Sequence, residues 1–280
     1  MMAVVPPLVG DTTHPGEMNV STLPSENIAL VTGAGKRLGR SIALGLATAG
    51  WDVAIHYGTS AADAQQTVLD IQALGRRAVA LQADLAVESS VASLMTRCTE
   101  ALGLPSCLVN NASLFDFDEA QSFSYARLNT HMQVNVSAPV SLARDLHRAR
   151  SQSPHAFQHP AVVINLLDQK LINPNPDFLS YTLSKAALLE ATRLLAQALA
   201  PHVRVVGLAP GITLVSGDQT ETGFKQAHNQ TPLGKSSTPE DISAAAVYLA
   251  RAHAITGTTL YVDGGQHLKA SDRDVMFLTS

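Results

Sequence analysis

Cysteine is nearly absent from this 280-residue chain, with Cys98 and Cys107 as the whole complement. Two thiols this close together build no disulfide framework and lack metal-ligand spacing, so they read as reduced cysteines. Charge of one sign is lacking too: 19 Lys and Arg against 23 Asp and Glu leave a net charge of −4. Nothing in that balance asks for nucleic acid or an anionic membrane. No apolar run reaches the roughly 18 residues that a bilayer span needs. The first 26 residues hold no Lys or Arg, so they lack the basic region of a secretory signal and the arginines of a mitochondrial presequence. With Pro6, Pro7, Pro15 and Pro24 they read as a flexible extension, residues 1–26, ahead of one domain, residues 27–280. Cytoplasm is the default expectation. The histidines show no short zinc-ligand spacing, and no metal is expected.

What is present is alternation. From Asn27 onward, short β-branched runs alternate with longer segments rich in alanine and leucine, the pattern of βα units on a parallel sheet. "NIALVTG", "WDVAIHY", "RAVALQADL", "CLVNNAS", "AVVINLL", "VRVVGLAPG" and "TLYVDGG" read as seven strands. The expected architecture is a single-domain, doubly wound, Rossmann-type α/β sheet with helices on both faces and a ligand crevice at the carboxyl ends of the strands. "ESSVASLMTRCTEAL" reads as one helix, and a long helix is expected over Tyr125–Arg150. "STPEDISAAAVYLARAH" opens with a capping Ser or Thr and Pro239 in the first turn. Thr213–Ser237, rich in Gly, Thr, Gln and Asn, reads as a long loop of the kind that covers active sites.

The turn after the first strand, "TGAGKRLGR" at Thr32–Arg40, places Gly33, Gly35 and Gly39 where free backbone N–H groups and a helix dipole attract a pyrophosphate. A sheet that prefers NAD would carry an acid about 20 residues on, for the ribose hydroxyls. Strand two ends instead in His56-Tyr57-Gly58-Thr59-Ser60, and the nearest acid, Asp63, falls within the next helix. With Arg37 to meet a 2′-phosphate and Ser60 to hydrogen-bond it, NADP is the expected cofactor.

Tyr181 and Lys185, four residues apart on an expected helix, share one face. A neighbouring ammonium favours phenolate, so the lysine is expected to lower the tyrosine pKa and suit the pair to proton transfer beside a hydride transfer.

With the Thr32–Gly39 turn, Asp84-Leu85, "NNAS" at Asn110–Ser113, Asn135 in "VNVSAP", Tyr181-x-x-x-Lys185, Pro210-Gly211 and "VDGG" at Val262–Gly265 in order, the chain resembles the short-chain dehydrogenase/reductase family over Asn27–Leu268. The resemblance implies a catalytic group that includes Asn135, Tyr181 and Lys185. It also implies cofactor contacts from Gly33, Arg37, Leu38, Gly39, His56, Tyr57, Ser60, Asp84, Leu85, Asn111, Ala112, Ser113, Tyr181, Lys185, Pro210 and Gly211, and a homotetramer. Three positions depart from the family pattern: Asp168 stands where a serine is expected 13 residues before the tyrosine, Ser113 replaces the glycine of "NNAG", and Arg37 replaces a turn glycine. Together they resemble the pteridine reductase subgroup, including dihydromonapterin-type enzymes. Phe115 then sits where that group carries a pterin-stacking phenylalanine, and Arg37, Ser113, Phe115, Asp168 and Tyr181 become the expected substrate contacts.

The chemistry agrees with that resemblance. A flat bicycle stacks on an aromatic ring, Arg37 can donate to its edge, and reduction of a ring C=N bond needs a proton at nitrogen that Asp168 can pass or orient. A carbonyl or 3-oxoacyl reductase of the same family, and a non-catalytic NADP-binding regulator, stay open as alternatives. The intact Asn135, Tyr181 and Lys185 weigh against the regulator.

Overall fold

A computed structural model describes residues 27–152, 158–215, 220–229 and 231–278. The expected extension, residues 1–26, lies outside the described residues.

Among the described residues, seven strands form one wholly parallel sheet: β1 (Ile28–Val31), β2 (Asp52–Tyr57), β3 (Ala78–Gln82), β4 (Cys107–Asn110), β5 (Ala161–Leu166), β6 (Val203–Pro210) and β7 (Thr259–Val262). Their order is β3-β2-β1-β4-β5-β6-β7. The strands alternate faces with period two, and both faces are covered. Ala29, Val31, Val53, Ile55, Val109, Ile164 and Val206 pack against Ile42 and Leu46 of α1 (Arg37–Thr48), Val68 and Ile71 of α2 (Ala61–Ala73) and Ile242 and Leu249 of α9 (Pro239–Arg251). Leu30, Leu108, Val163 and Val205 face the other way, onto Leu94 and Cys98 of α4 (Leu94–Leu102) and Leu142 and Leu146 of α6 (Ala138–Ser151). The doubly wound expectation holds in type and in strand count.

Three elements differ from the reading of the sequence. The helix expected at Glu88–Leu102 breaks at Ser93 into α3 (Glu88–Ala92) and α4. The long helix from Tyr125 runs as α5 (Tyr125–Met132), one π-helical turn at Gln133–Ser137, and α6. Within Thr213–Ser237, expected to be loop, Glu221–Asn229 is helical (α8). Its small and polar residues hide the apolar face, which buries Ala227 and leaves Phe224 half-buried. The start of α9 matches expectation: Thr238 and Asp241 form a reciprocal capping box ahead of Pro239. No described helix is long and apolar enough to cross a membrane.

Candidate active site

The glycine turn sits at the carboxyl end of β1 and is held from behind by β4. The Thr32 hydroxyl accepts the backbone N–H groups of Asn111 and Ala112, both at 3.0 Å. The Asn111 side-chain amide donates to the carbonyls of Thr32 and Gly33. Gly39 packs so close that a Cβ there would fall 2.3 Å from the Gly33 carbonyl oxygen, and Gly33 has φ +63°. No side chain caps the start of α1, and its first turn carries no acid. Amides left in that state at a helix N-terminus suit the phosphates of a dinucleotide.

His56 serves the turn from within. Its Nδ1 accepts the Gly33 N–H at 3.1 Å, so Nε2 carries the proton toward the Ala83 carbonyl, also at 3.1 Å. Burial holds its pKa below the ordinary value and keeps it neutral. With both nitrogens used, His56 shapes the cofactor turn; it does not offer the cofactor a free nitrogen, which corrects its expected role. Tyr57 and Leu38 pack at the edge of the core. Leu85 is buried, and the exposed Asp84 accepts the Ala86 N–H.

Arg37 also behaves differently from expectation. It is held at φ +53°, the left-handed region that a glycine enters without strain. Its guanidinium donates to the Val215 carbonyl at 2.9 Å and lines a cavity of about 410 Å³ together with Phe115, Asp168 and Gly211. The basic side chain beside the first turn of α2 is Lys36, 3.2 Å from Asp63, while Ser60 occupies the N-cap position of α2 without a side-chain capping bond.

The proton-bearing group converges from β5 and α7 (Leu179–Ala198). Tyr181 Oη donates to Asp168 Oδ2 at 2.8 Å, and Asp168 Oδ1 accepts the Lys170 N–H at the same distance. Lys185 Nζ donates to the Leu166 carbonyl at 2.7 Å, with its ammonium 5.7 Å from the Tyr181 ring centroid. Burial pushes the Asp168 carboxyl up from its ordinary value and brings Lys185 down to about 8. Burial, followed by the neighbouring Asp168, raises Tyr181 well above 10. The expected lowering of the tyrosine by the lysine is therefore overturned: Tyr181 is a neutral phenol that donates to Asp168.

Asn135 lies in the π-helical turn, and π turns are common at functional sites. Its Oδ1 accepts the Leu114 N–H at 2.8 Å and the Ser113 hydroxyl at 3.3 Å, while Nδ2 donates to Ser184 and to the Leu114 carbonyl. This pins the loop that carries Phe115. The Phe115 ring stacks on Phe178 at 4.2 Å and meets the Tyr181 ring edge-on at 4.6 Å, yet it is 41% exposed, which leaves apolar surface for a ligand.

Several site residues carried no motif. Asp118, fully buried, accepts both the N–H and the hydroxyl of Ser180, and so caps α7 from 62 residues away. The residue before α7, Phe178, has φ +54° and offers no cap of its own. The C-terminal segment Gln266–Val275 forms a wall of the cavity. It is fastened by Arg273 on Asp177 at 2.8 and 3.0 Å and by the Asp274 N–H on the same carboxylate. Buried Lys170 joins this cluster through the Asp177 carbonyl.

Comparison with known proteins agrees with this geometry. Residues 33–267 match a family model described as enoyl-(acyl carrier protein) reductase. A 2-dehydro-3-deoxy-D-gluconate 5-dehydrogenase of Dickeya dadantii is 30% identical over 85% of this chain and 94% of its own length. Pteridine reductase 1 of Leishmania tarentolae is 32% identical over 89% of this chain and 99% of its own. The solved structure of the FolM alternative dihydrofolate reductase 1 of Brucella canis, complexed with NADP, superimposes with a TM-score of 0.80 at 37% identity, covering 87% of this chain and 95% of that one. The chain belongs to the short-chain dehydrogenase/reductase family and is an NAD(P)-dependent oxidoreductase.

Proposed function

We propose that this protein is an NADPH-dependent pteridine reductase that converts a dihydropterin to its tetrahydro form. The observation that carries the reading is the contact of Tyr181 with Asp168, a carboxyl that lines a cavity together with Phe115 and Arg37. A ketone reductase needs a neutral hydroxyl at this place to bind the carbonyl, whereas a ring C=N bond needs a proton at nitrogen. Relatives that reduce pterins or dihydrofolate by name, in Leishmania and Brucella, support the same reading.

NADPH, when bound, supplies the hydride. The uncapped start of α1, with Gly33 and Gly39, receives its phosphates, and Lys36 at the mouth of α2 is the cation for the 2′-phosphate. Asn111, Ala112, Pro210 and Gly211 border the nicotinamide end of the crevice, and Lys185 and Tyr181 hold its ribose. Phe115 stacks on the pterin, while Arg37 and Ser113 donate to its edge. Asp168 delivers the proton: burial raises its pKa and so favours the protonated carboxyl, and the Tyr181 phenol stabilises the carboxylate left behind. The ring gains one hydride at carbon and one proton at the adjacent nitrogen.

The test is NADPH oxidation with dihydrobiopterin, with a short 3-oxoacyl thioester and with a simple ketone. Turnover of dihydrobiopterin well above the other two supports the reading. Turnover of the thioester or ketone alone overturns it in favour of a carbonyl reductase.

A further inference from the structure

The C-terminal segment brings a second carboxyl to the cavity that holds Asp168. Asp274 lines that cavity together with Asp168, Lys170 and Arg273. Its backbone N–H donates to the buried Asp177 carboxylate at 2.7 Å, and the same carboxylate accepts Arg273 Nε at 2.8 and 3.0 Å, so one buried group fixes where this residue stands. The Asp274 carboxyl lies 3.6 Å from the ammonium of Lys170. Lys170 in turn donates its backbone N–H to Asp168 Oδ1 at 2.8 Å and its ammonium to the Asp177 carbonyl at 2.6 Å. One buried lysine thus links the two carboxyls.

Two carboxyls in a poorly solvated site favour the protonated form of one of them, because like charges repel. Around Asp168 the charged and titratable groups are Tyr181 and Lys185 from α7, Lys170 from the turn at Gln169–Leu171, Arg37 from the glycine turn, and Lys269, Arg273 and Asp274 from the C-terminal segment. Arg37, Lys269 and Arg273 are exposed, so water screens them, and Asp177 further offsets Arg273. Asp274 is only 19% exposed. Both reacting groups feel it: after burial, Asp274 adds to the rise of Asp168 while Lys185 opposes it, and burial, Asp168 and Asp274 all raise Tyr181. We propose that Asp274 is a positioning residue for the reduction: the clasp on Asp177 holds its charge near Asp168, where it favours the protonated carboxyl. Because Asp274 acts through Asp168, the inference rests on the reading of Asp168 as the proton donor.

Two readouts keep the inference apart from that reading. Infrared titration of NADP⁺-saturated protein follows the protonated-carboxyl band that Asp168→Ser lacks, and needs no substrate. The pH profile of kcat/KM for dihydrobiopterin follows the same group in turnover. In Asp274→Asn both midpoints should move to lower pH by about half a unit or more, because the like charge is gone and the Lys170 ammonium remains to favour the carboxylate. On the alkaline side of the profile this is a loss of about threefold in kcat/KM. Asp274→Glu keeps the charge and should stay closer to the wild type than the amide does. Asp272→Asn, the same change of charge at an exposed neighbour, should leave both midpoints where they are. An infrared midpoint that Asp274→Asn leaves unmoved, or that Asp272→Asn moves equally, overturns the proposal. A shifted infrared midpoint in a protein that turns over no dihydrobiopterin supports it and overturns the pteridine reading instead.

Discussion

Replacing Arg37 by glycine separates the backbone cost of this residue from its chemical use. The left-handed conformation at φ +53° costs an L-residue about 1–2 kcal/mol, which glycine would recover. Against this, glycine adds freedom to the unfolded chain, about 0.4–1 kcal/mol. The exposed bond to the Val215 carbonyl contributes about 0.5–1.5 kcal/mol more, which the variant loses. The terms nearly cancel, so Tm should move by less than about 4 °C. Function should not be spared. If the guanidinium donates to the pterin edge, its removal forfeits about 1.5–3 kcal/mol, or roughly 10- to 150-fold in kcat/KM for dihydropterin. The assay is steady-state NADPH oxidation at saturating cofactor, with a thermal melt in parallel. Wild-type kcat/KM in the variant would refute the substrate role. A melt lowered by tens of degrees would refute the strain argument.

Tyr181→Phe keeps the ring against Phe115 but removes the donor that stabilises the Asp168 carboxylate; NADPH should still bind while turnover falls by about 10- to 150-fold, the worth of a hydrogen bond to a charged group, and wild-type turnover would show that the phenol takes no part. Asp118→Ala removes the distant cap of α7 and should cost about 1–2 kcal/mol in urea denaturation, with kcat lowered more than NADPH affinity, because the first turn of the helix carries Tyr181. An unaltered melt would count against it. Lys185, brought down by burial to about 8, is charged below that pH and neutral above it. The kcat/KM for NADPH should therefore fall as pH rises through about 8 if the ammonium holds the ribose, and a flat profile between about pH 7 and 9.5 would remove that role.

The sheet was legible because β-branched runs and helical runs alternate without interruption from Ile28 to Val262, and the inner strands β1, β4 and β5 are buried along their whole length. Asp168 was placed beside Tyr181 through the family resemblance, 13 residues before it, and the end of β5 and the start of α7 meet at the carboxyl edge of the parallel sheet so that the two side chains touch. The sign of the tyrosine shift was not legible. It depends on burial and on a hydrogen bond to a carboxylate, neither of which a Tyr-x-x-x-Lys spacing reveals. Arg37 shows the same limit: its identity pointed to a phosphate, while the left-handed backbone and the Val215 carbonyl set its direction. Asp118 and the Arg273–Asp177 clasp left no signal, since they join segments 62 and 96 residues apart through side chains that recur on any surface.

The most direct test of the account is dihydropterin reduction by Asp168→Ser against the wild type, with NADPH, across about pH 4.5 to 8, a range that brackets a carboxyl raised by burial. Serine restores the hydroxyl common in the wider family but does not titrate there. The variant should bind NADPH normally, lose most dihydropterin turnover, and lack the ionisation that the wild type shows. If it reduces dihydropterin as fast as the wild type at every pH, Asp168 delivers no proton, and the proposed pteridine chemistry loses the observation on which it stands.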